Sequence, residues 1–85
     1  MTKDYSKGRY NVLKGRGPDA QRIGRIDQDE FVRSDKNQLL YRVDGDEFYD
    51  MAGNYIGEID SSGDVGMVVS RTPSGITCLF MIVDE

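Results

Sequence analysis

The side chains best placed to do chemistry in this chain are acids at short, recurring spacing. Asp27-Gln28-Asp29-Glu30 and Asp44-Gly45-Asp46-Glu47 each set three carboxylates within four positions. Oxygen-rich runs of this kind hold calcium when the backbone bends them onto one ion. An EF-hand loop opening at Asp44 would need Gly at its sixth place and Glu at its twelfth; Tyr49 and Tyr55 stand there instead. Glycoside chemistry needs two carboxyls about 5–10 Å apart across a cleft, one with a raised pKa. Repeated carboxylates in a chain of 85 residues offer neither the cleft nor a reason for one acid to differ. The acids are therefore read as turn formers, with Asp44 and Asp60 hydrogen-bonding their own backbone. No catalytic residue, metal or cofactor is expected.

Other chemistry is thinner still. There is no histidine, which removes His-dependent triads, His metal sites and His pH switches. The single cysteine, Cys78, sits inside the apolar run ITCLFMIV and reads as a buried small hydrophobe. It has no partner for an internal disulfide, which favours a reducing compartment. Gly15-Arg16-Gly17 lacks the strand before it and the helix after it that a phosphate-binding loop requires.

Charge is divided along the chain. Residues 1–25 carry seven basic groups against Asp4 and Asp19, a balance of +5; residues 26–85 carry four against thirteen acids, a balance of −9. Such asymmetry speaks of partners, not of fold. KGRYNVLKGRG interleaves basic residues with Tyr10, so Lys7, Arg9, Lys14 and Arg16 form a candidate nucleic-acid grip. The acidic remainder would repel a phosphate backbone. It favours instead a wall of Asp44, Asp46, Glu47, Tyr49, Asp50, Glu58 and Asp60 facing a basic protein.

The elements that must position these groups read as strands. Ten glycines, tyrosines and β-branched residues between closely spaced turn signals suit β-hairpins. Residues 1–22 read as a flexible basic arm or loop, and residues 23–85 as one domain. From Ile23 the chain repeats at an offset of 17, with six of sixteen positions identical. Asp44-Gly45 is a strong hairpin signal. Strands are expected at 23–26, 30–33, 39–43, 46–51, 55–59 and 65–70. The apolar run 76–83 is expected to form a last strand, covered on both faces, that closes or caps the domain. Tyr41, Tyr49 and Tyr55, with Phe48, are expected in the core or in a contact between subunits. Sheet edges call for cover, so a homo-oligomer is expected.

Ile23-Gly24-Arg25-Ile26-Asp27, Phe48-Tyr49-Asp50, Gly53-Asn54 and Ile56-Gly57-Glu58-Ile59-Asp60 together resemble the fourfold β-flower domains. The resemblance implies short hairpins around a pseudo-fourfold axis and no assigned activity. Tyr49-Asp50-Met51-Ala52-Gly53-Asn54 also resembles the YD repeat of large Rhs shells, but it occurs in one good copy. The expected class is all-β: a small domain of repeated short antiparallel hairpins with a long apolar C-terminal strand. The expected role is a non-enzymatic protein-binding or assembly module, of the kind used as an accessory or inhibitor protein by a phage or mobile element. The competing reading is a nucleic-acid binder working through the basic arm. MTKDYSKGRY has no apolar signal region, and the longest apolar run is eight residues against the roughly 20 of a membrane helix, so a cytoplasmic location is expected.

Overall fold

A computed structural model describes residues 5–15, 18–61 and 65–85. The chain is all-β. A single 3-10 turn, Tyr5–Lys7, precedes eight strands: β1 (Arg9–Lys14), β2 (Gln21–Asp27), β3 (Phe31–Arg33), β4 (Leu39–Asp44), β5 (Glu47–Asp50), β6 (Tyr55–Asp60), β7 (Gly66–Thr72) and β8 (Gly75–Asp84). Each strand pairs antiparallel with its neighbours in chain order, and β8 pairs with β1, so the sheet closes into a barrel. Closure removes the free edges that argued for an oligomer.

Four hairpins build the barrel in one pattern: β1–β2, β3–β4, β5–β6 and β7–β8. Each carries one register shift, at Val12/Leu13, Val32/Arg33, Phe48/Tyr49 and Val68/Val69. The extra residue falls on the second strand each time: Ile23, Leu40, Ile56 and Leu79. All four are half-buried and pack on the core. Such bulges kink and twist a strand, and four of them at equivalent places help curl the sheet shut.

The core follows from strand alternation. Val12, Val32, Phe48 and Val68 point inward from the first strands; Ile26, Val43, Ile59 and Ile82 point inward from the second. None exceeds 5% exposure. Cross-strand pairs join them into one ring: Ile26 with Val32, Val43 with Phe48, Ile59 with Val68, and Ile82 with Val12. Above the ring, Gly24, Tyr41, Gly57 and Phe80 alternate small and large. Tyr41, Phe48 and Phe80 fill the space with ring centroids 5.0–5.3 Å apart. At Gly24 a Cβ would strike the Arg33 carbonyl, and at Gly57 the Val69 carbonyl.

Three features differ from the sequence reading. The described residues between 5 and 15 are not an arm: β1 is a full barrel strand with partners on both sides, and Tyr10 and Val12 are core. Tyr5 is 1% exposed and plugs one end of the barrel, edge-on to Tyr10, with its hydroxyl 2.9 Å from the Ser61 hydroxyl. β8 is not covered on both faces. Phe80 and Ile82 point inward, Cys78 is only half-buried, and Ile76 is 61% exposed. Among the described residues no helix is long and apolar enough to cross a membrane.

The ring predicts two sensitive positions. Phe48→Ala empties the centre and is expected to cost about 3–5 kcal/mol in urea unfolding. Gly57→Val drives a side chain into the β7 backbone and is expected to abolish the cooperative transition, whereas the exposed Ile76→Val leaves it within error.

Candidate functional site

A filled interior leaves the outer wall as the place for function. The hairpin turn at Asp44-Gly45-Asp46-Glu47 sets its acidic centre. Asp44 pairs with Glu47, so Gly45 and Asp46 are the central turn residues. Only Gly45 has positive φ, 63°, the pattern of a type II′ turn and not of the type I′ expected from Asp-Gly. Gln28, seventeen residues earlier, has φ 58° at the matching place in the first copy.

Beyond the turn, Glu47 pairs with Glu58 on β6. Asp44, Glu47 and Glu58 therefore form one row across three adjacent strands, spaced about 5 Å apart. Beside the row, Tyr49 and Tyr55 pair across β5 and β6 with rings 5.7 Å apart and nearly perpendicular. Tyr55 is 58% exposed. The Tyr49 hydroxyl donates to Glu47, and this hydrogen bond holds the phenol above its ordinary pKa, with partial burial and the Glu47 and Asp44 charges adding to it. Tyr55 is raised by partial burial first and then by Glu58, Glu47 and Asp46. Shallow grooves flank the tyrosine pair: one of about 280 Å³ lined by Tyr55, Glu58, Val69 and Arg71, the other of about 470 Å³ lined by Arg42, Asp44, Tyr49 and Met51.

The seven residues of the expected acidic wall thus divide. Asp44, Glu47, Tyr49 and Glu58 share the outer face, and Tyr55, missed as a member, joins them. Its signal was present: it lies on the outward face of a strand that begins at a Gly-Asn turn. Asp46 sits at the hairpin tip, its carbonyl accepting from the Ile59 amide at 2.6 Å. Asp60 lies at the end of β6 opposite Met67. Asp50 is a structural cap: its carboxylate accepts from the Ala52 and Asn54 amides, both at 2.9 Å, and from the Asn54 side chain at 3.0 Å. The Asn54 side-chain hydrogen bond is the main cause of its lowered pKa. Turn hydrogen bonds are made by Asp50, by Ser34 in the preceding turn and by Asp29, which accepts from the Phe31 amide. Asp44 instead lies 3.9 Å from Arg42. Tyr41 and Phe48 go to the core, Tyr49 and Tyr55 to the wall.

No family model matches the chain, and no curated protein or solved structure is detectably similar to it.

Of the basic residues named with the arm, Arg9 and Lys14 do not come together. Arg9 and Lys14 stand at opposite ends of β1, about 17 Å apart at strand rise. Arg9 is bonded to Asp27 at 3.1 Å. Lys7 ends the 3-10 turn, and Arg16 lies outside the described residues. The stronger basic wall is elsewhere, on β2 and β3: Arg25 faces Arg33 directly. Arg22 there bonds Asp35 at 2.7 Å, and this hydrogen bond holds the Asp35 carboxyl below its usual range. Asp35 and Asp50 both move in the direction opposite to that of a general acid. Among the described residues no three acids or thiols converge as a metal site would require.

Two measurements check this division. Asp50 has a lowered folded pKa, so its stabilisation is present above the unfolded value of about 3.9 and is lost as pH falls through the folded one. Asp50→Ala is expected to lower the Tm at neutral pH, with the gap to wild type closing in acid, whereas Asp50→Asn keeps the amide bonds and most of the Tm. Tyr49 should ionise above the ordinary tyrosine value of about 10, and Glu47→Gln should bring it down in an ultraviolet titration.

Proposed function

We propose that the chain is a non-enzymatic protein-binding or assembly module whose acidic, tyrosine-bearing wall docks on a basic protein surface. The observation that carries this reading is the like-charged row. Like charges directly opposite each other on neighbouring strands destabilise a sheet, and Glu47 faces an acid on each side. Glu58 is partly relieved by an ion pair with Arg71 and Asp44 by Arg42. Glu47 receives a tyrosine hydroxyl, and among the described residues no cation reaches it. A local cost kept on an exposed wall next to two accessible tyrosines is what a docking surface for cations looks like. Complementary charge would steer and orient the encounter, and the tyrosine faces would add cation–π contacts to Lys or Arg.

An accessory protein of a phage or mobile element that occupies the basic groove of a nucleic-acid-binding protein is one form of this role. The alternative is direct nucleic-acid binding through the basic N-terminal residues; β1 inside the barrel and Arg9 paired to Asp27 favour the acidic wall over it.

Glu47→Gln separates function from fold. It removes a repulsive neighbour from both Asp44 and Glu58, so the Tm is expected to rise. Calorimetric affinity for an Arg- and Lys-rich peptide is expected to fall, and wild-type affinity to weaken steeply with salt. A higher Tm with undiminished binding would move the docking site off this wall.

A further inference from the structure

The four hairpins meet at four seams, and the seams are of two kinds. β4 and β5 pair from Asp44–Glu47 up to Tyr41–Asp50, and β8 and β1 pair from Asp84–Tyr10 up to Phe80–Lys14. The other two stop one level lower, β2–β3 at Arg25–Arg33 and β6–β7 at Glu58–Val69. The level they omit belongs to Gly24 and Gly57, where the longer seams carry Tyr41 and Phe80. Each glycine lies against the carbonyl of the last paired residue across its seam, Arg33 or Val69, too close for any side chain. Glycine inside a strand gives its neighbours nothing to pack on and weakens the sheet. At the end of each short seam an ion pair spans the gap. Arg22 of β2 reaches Asp35, just beyond β3, at 2.7 Å, and Arg71 of β7 reaches Glu58 of β6. Both pairs lie on the surface, where such contacts add little.

The two short seams stand on opposite sides of the barrel. They divide it into two four-stranded halves, β3–β6 and β7–β8–β1–β2, each held together by a long seam. Both short seams end toward the β3–β4 and β7–β8 turns. At the other end of the barrel Tyr5 ties β6 to β7: its hydroxyl meets Ser61 just after β6, and its ring lies against Gly66 at the start of β7. We infer that the barrel opens along the Gly24 and Gly57 seams as two four-stranded halves hinged at the Tyr5 end, with Arg22–Asp35 and Arg71–Glu58 as latches. The halves share the core, with Tyr41 and Phe48 of one packed on Phe80 of the other, so the open form is a rare excursion and not a resting state. Asp44, Glu47, Tyr49, Tyr55 and Glu58 all ride on the β3–β6 half, so opening moves the acidic wall as one body. Glu58 belongs to both wall and latch, since its partner Arg71 stands on the other half. The inference concerns the seams and holds whatever the wall binds.

Native-state hydrogen exchange of the full chain, followed by NMR, is the test. Amide protons bonded across β2–β3 and β6–β7 are expected to exchange through a shared local opening, about tenfold faster than those across β4–β5 and β8–β1, which exchange only with global unfolding. Arg71→Gln is expected to speed exchange about threefold at the β6–β7 seam alone, the effect of losing one surface ion pair, and Arg22→Gln to do the same at β2–β3. Both arginines are exposed; should either variant fail to fold, high sodium chloride on the wild type decides in its place and is expected to speed the two glycine seams alone. Equal protection at all four seams overturns the inference, as does slower exchange at the glycine seams. A folded variant that speeds exchange equally everywhere, or nowhere, overturns the latches.

Discussion

Closure of eight strands around a very small interior is the constraint from which the rest follows. When β8 pairs with β1, the barrel leaves room for side chains and little else. One ring of eight aliphatic and aromatic residues fills it at the level of Phe48, and Tyr5 seals one end beside Tyr10. The next level shows how tight the fit is. Tyr41 and Phe80 take the space that Gly24 and Gly57 leave, and both glycines sit against a neighbouring backbone carbonyl. Alternating small and large residues is how narrow barrels fill their taper. Among the described residues these side chains take up the interior, and the grooves beside Tyr49 and Tyr55 lie on the outside.

The outside is where the four hairpins diverge. Because inward residues occur at every second position, the outward ones are free of the packing rule. At one equivalent position the hairpins carry Arg25, Arg42, Glu58 and Met81, and at the next place but one they carry Asp27, Asp44, Asp60 and Val83. Three acids hold the turn end of the second strands, while the last hairpin is apolar at both places. A repeated fold thus offers walls of different character: basic at β2–β3, acidic at β5–β6 and apolar at β7–β8–β1.

Much of the fold was legible because turn chemistry is local. Gly45 and Gln28 both take positive φ, as the 17-residue offset requires if they are the same turn. The offset then fails for a physical reason. Ile26 and Val43 are equivalent at 17, but Val32 and Phe48 at 16, because the first turn holds one residue more. The identity of Phe31 with Phe48 is therefore misleading: Phe31 faces outward, 5.8 Å beneath the Arg33 guanidinium. β1 was misread because its charges outweighed its pattern. Tyr10 and Val12 alternate with Arg9, Asn11 and Leu13, a period-two signal that a charge count hides. β8 was misread as doubly covered because its outward residues are as apolar as its inward ones, and composition alone cannot tell an outer wall from a core. The acidic wall was legible as a set of residues. Its geometry was not, since whether Asp50 faces a partner or its own turn depends on hydrogen bonds that no spacing reveals.

The two charged walls differ in how far their charge is already answered. On the basic side, Arg25 and Arg33 face each other, yet Asp35 lies 3.8 Å from Arg25 and Asp29 lies 2.9 Å from Arg33. The like-charge contact there is met by acids from adjoining loops, and the field beyond it is small. On the acidic side the row is longer and, among the described residues, its middle member Glu47 is met only by a hydroxyl. A neutral donor satisfies a lone pair without cancelling a charge, so the field of that wall persists into solvent, on the strand that also carries Tyr49. The asymmetry of the whole chain, basic in its first 25 residues and acidic after them, is thus reshaped by folding. Among the described residues Arg9, Arg22 and Arg25 are drawn into internal ion pairs, while Glu47 is left facing outward without one, and this contrast is what supports the proposed docking on a cationic surface.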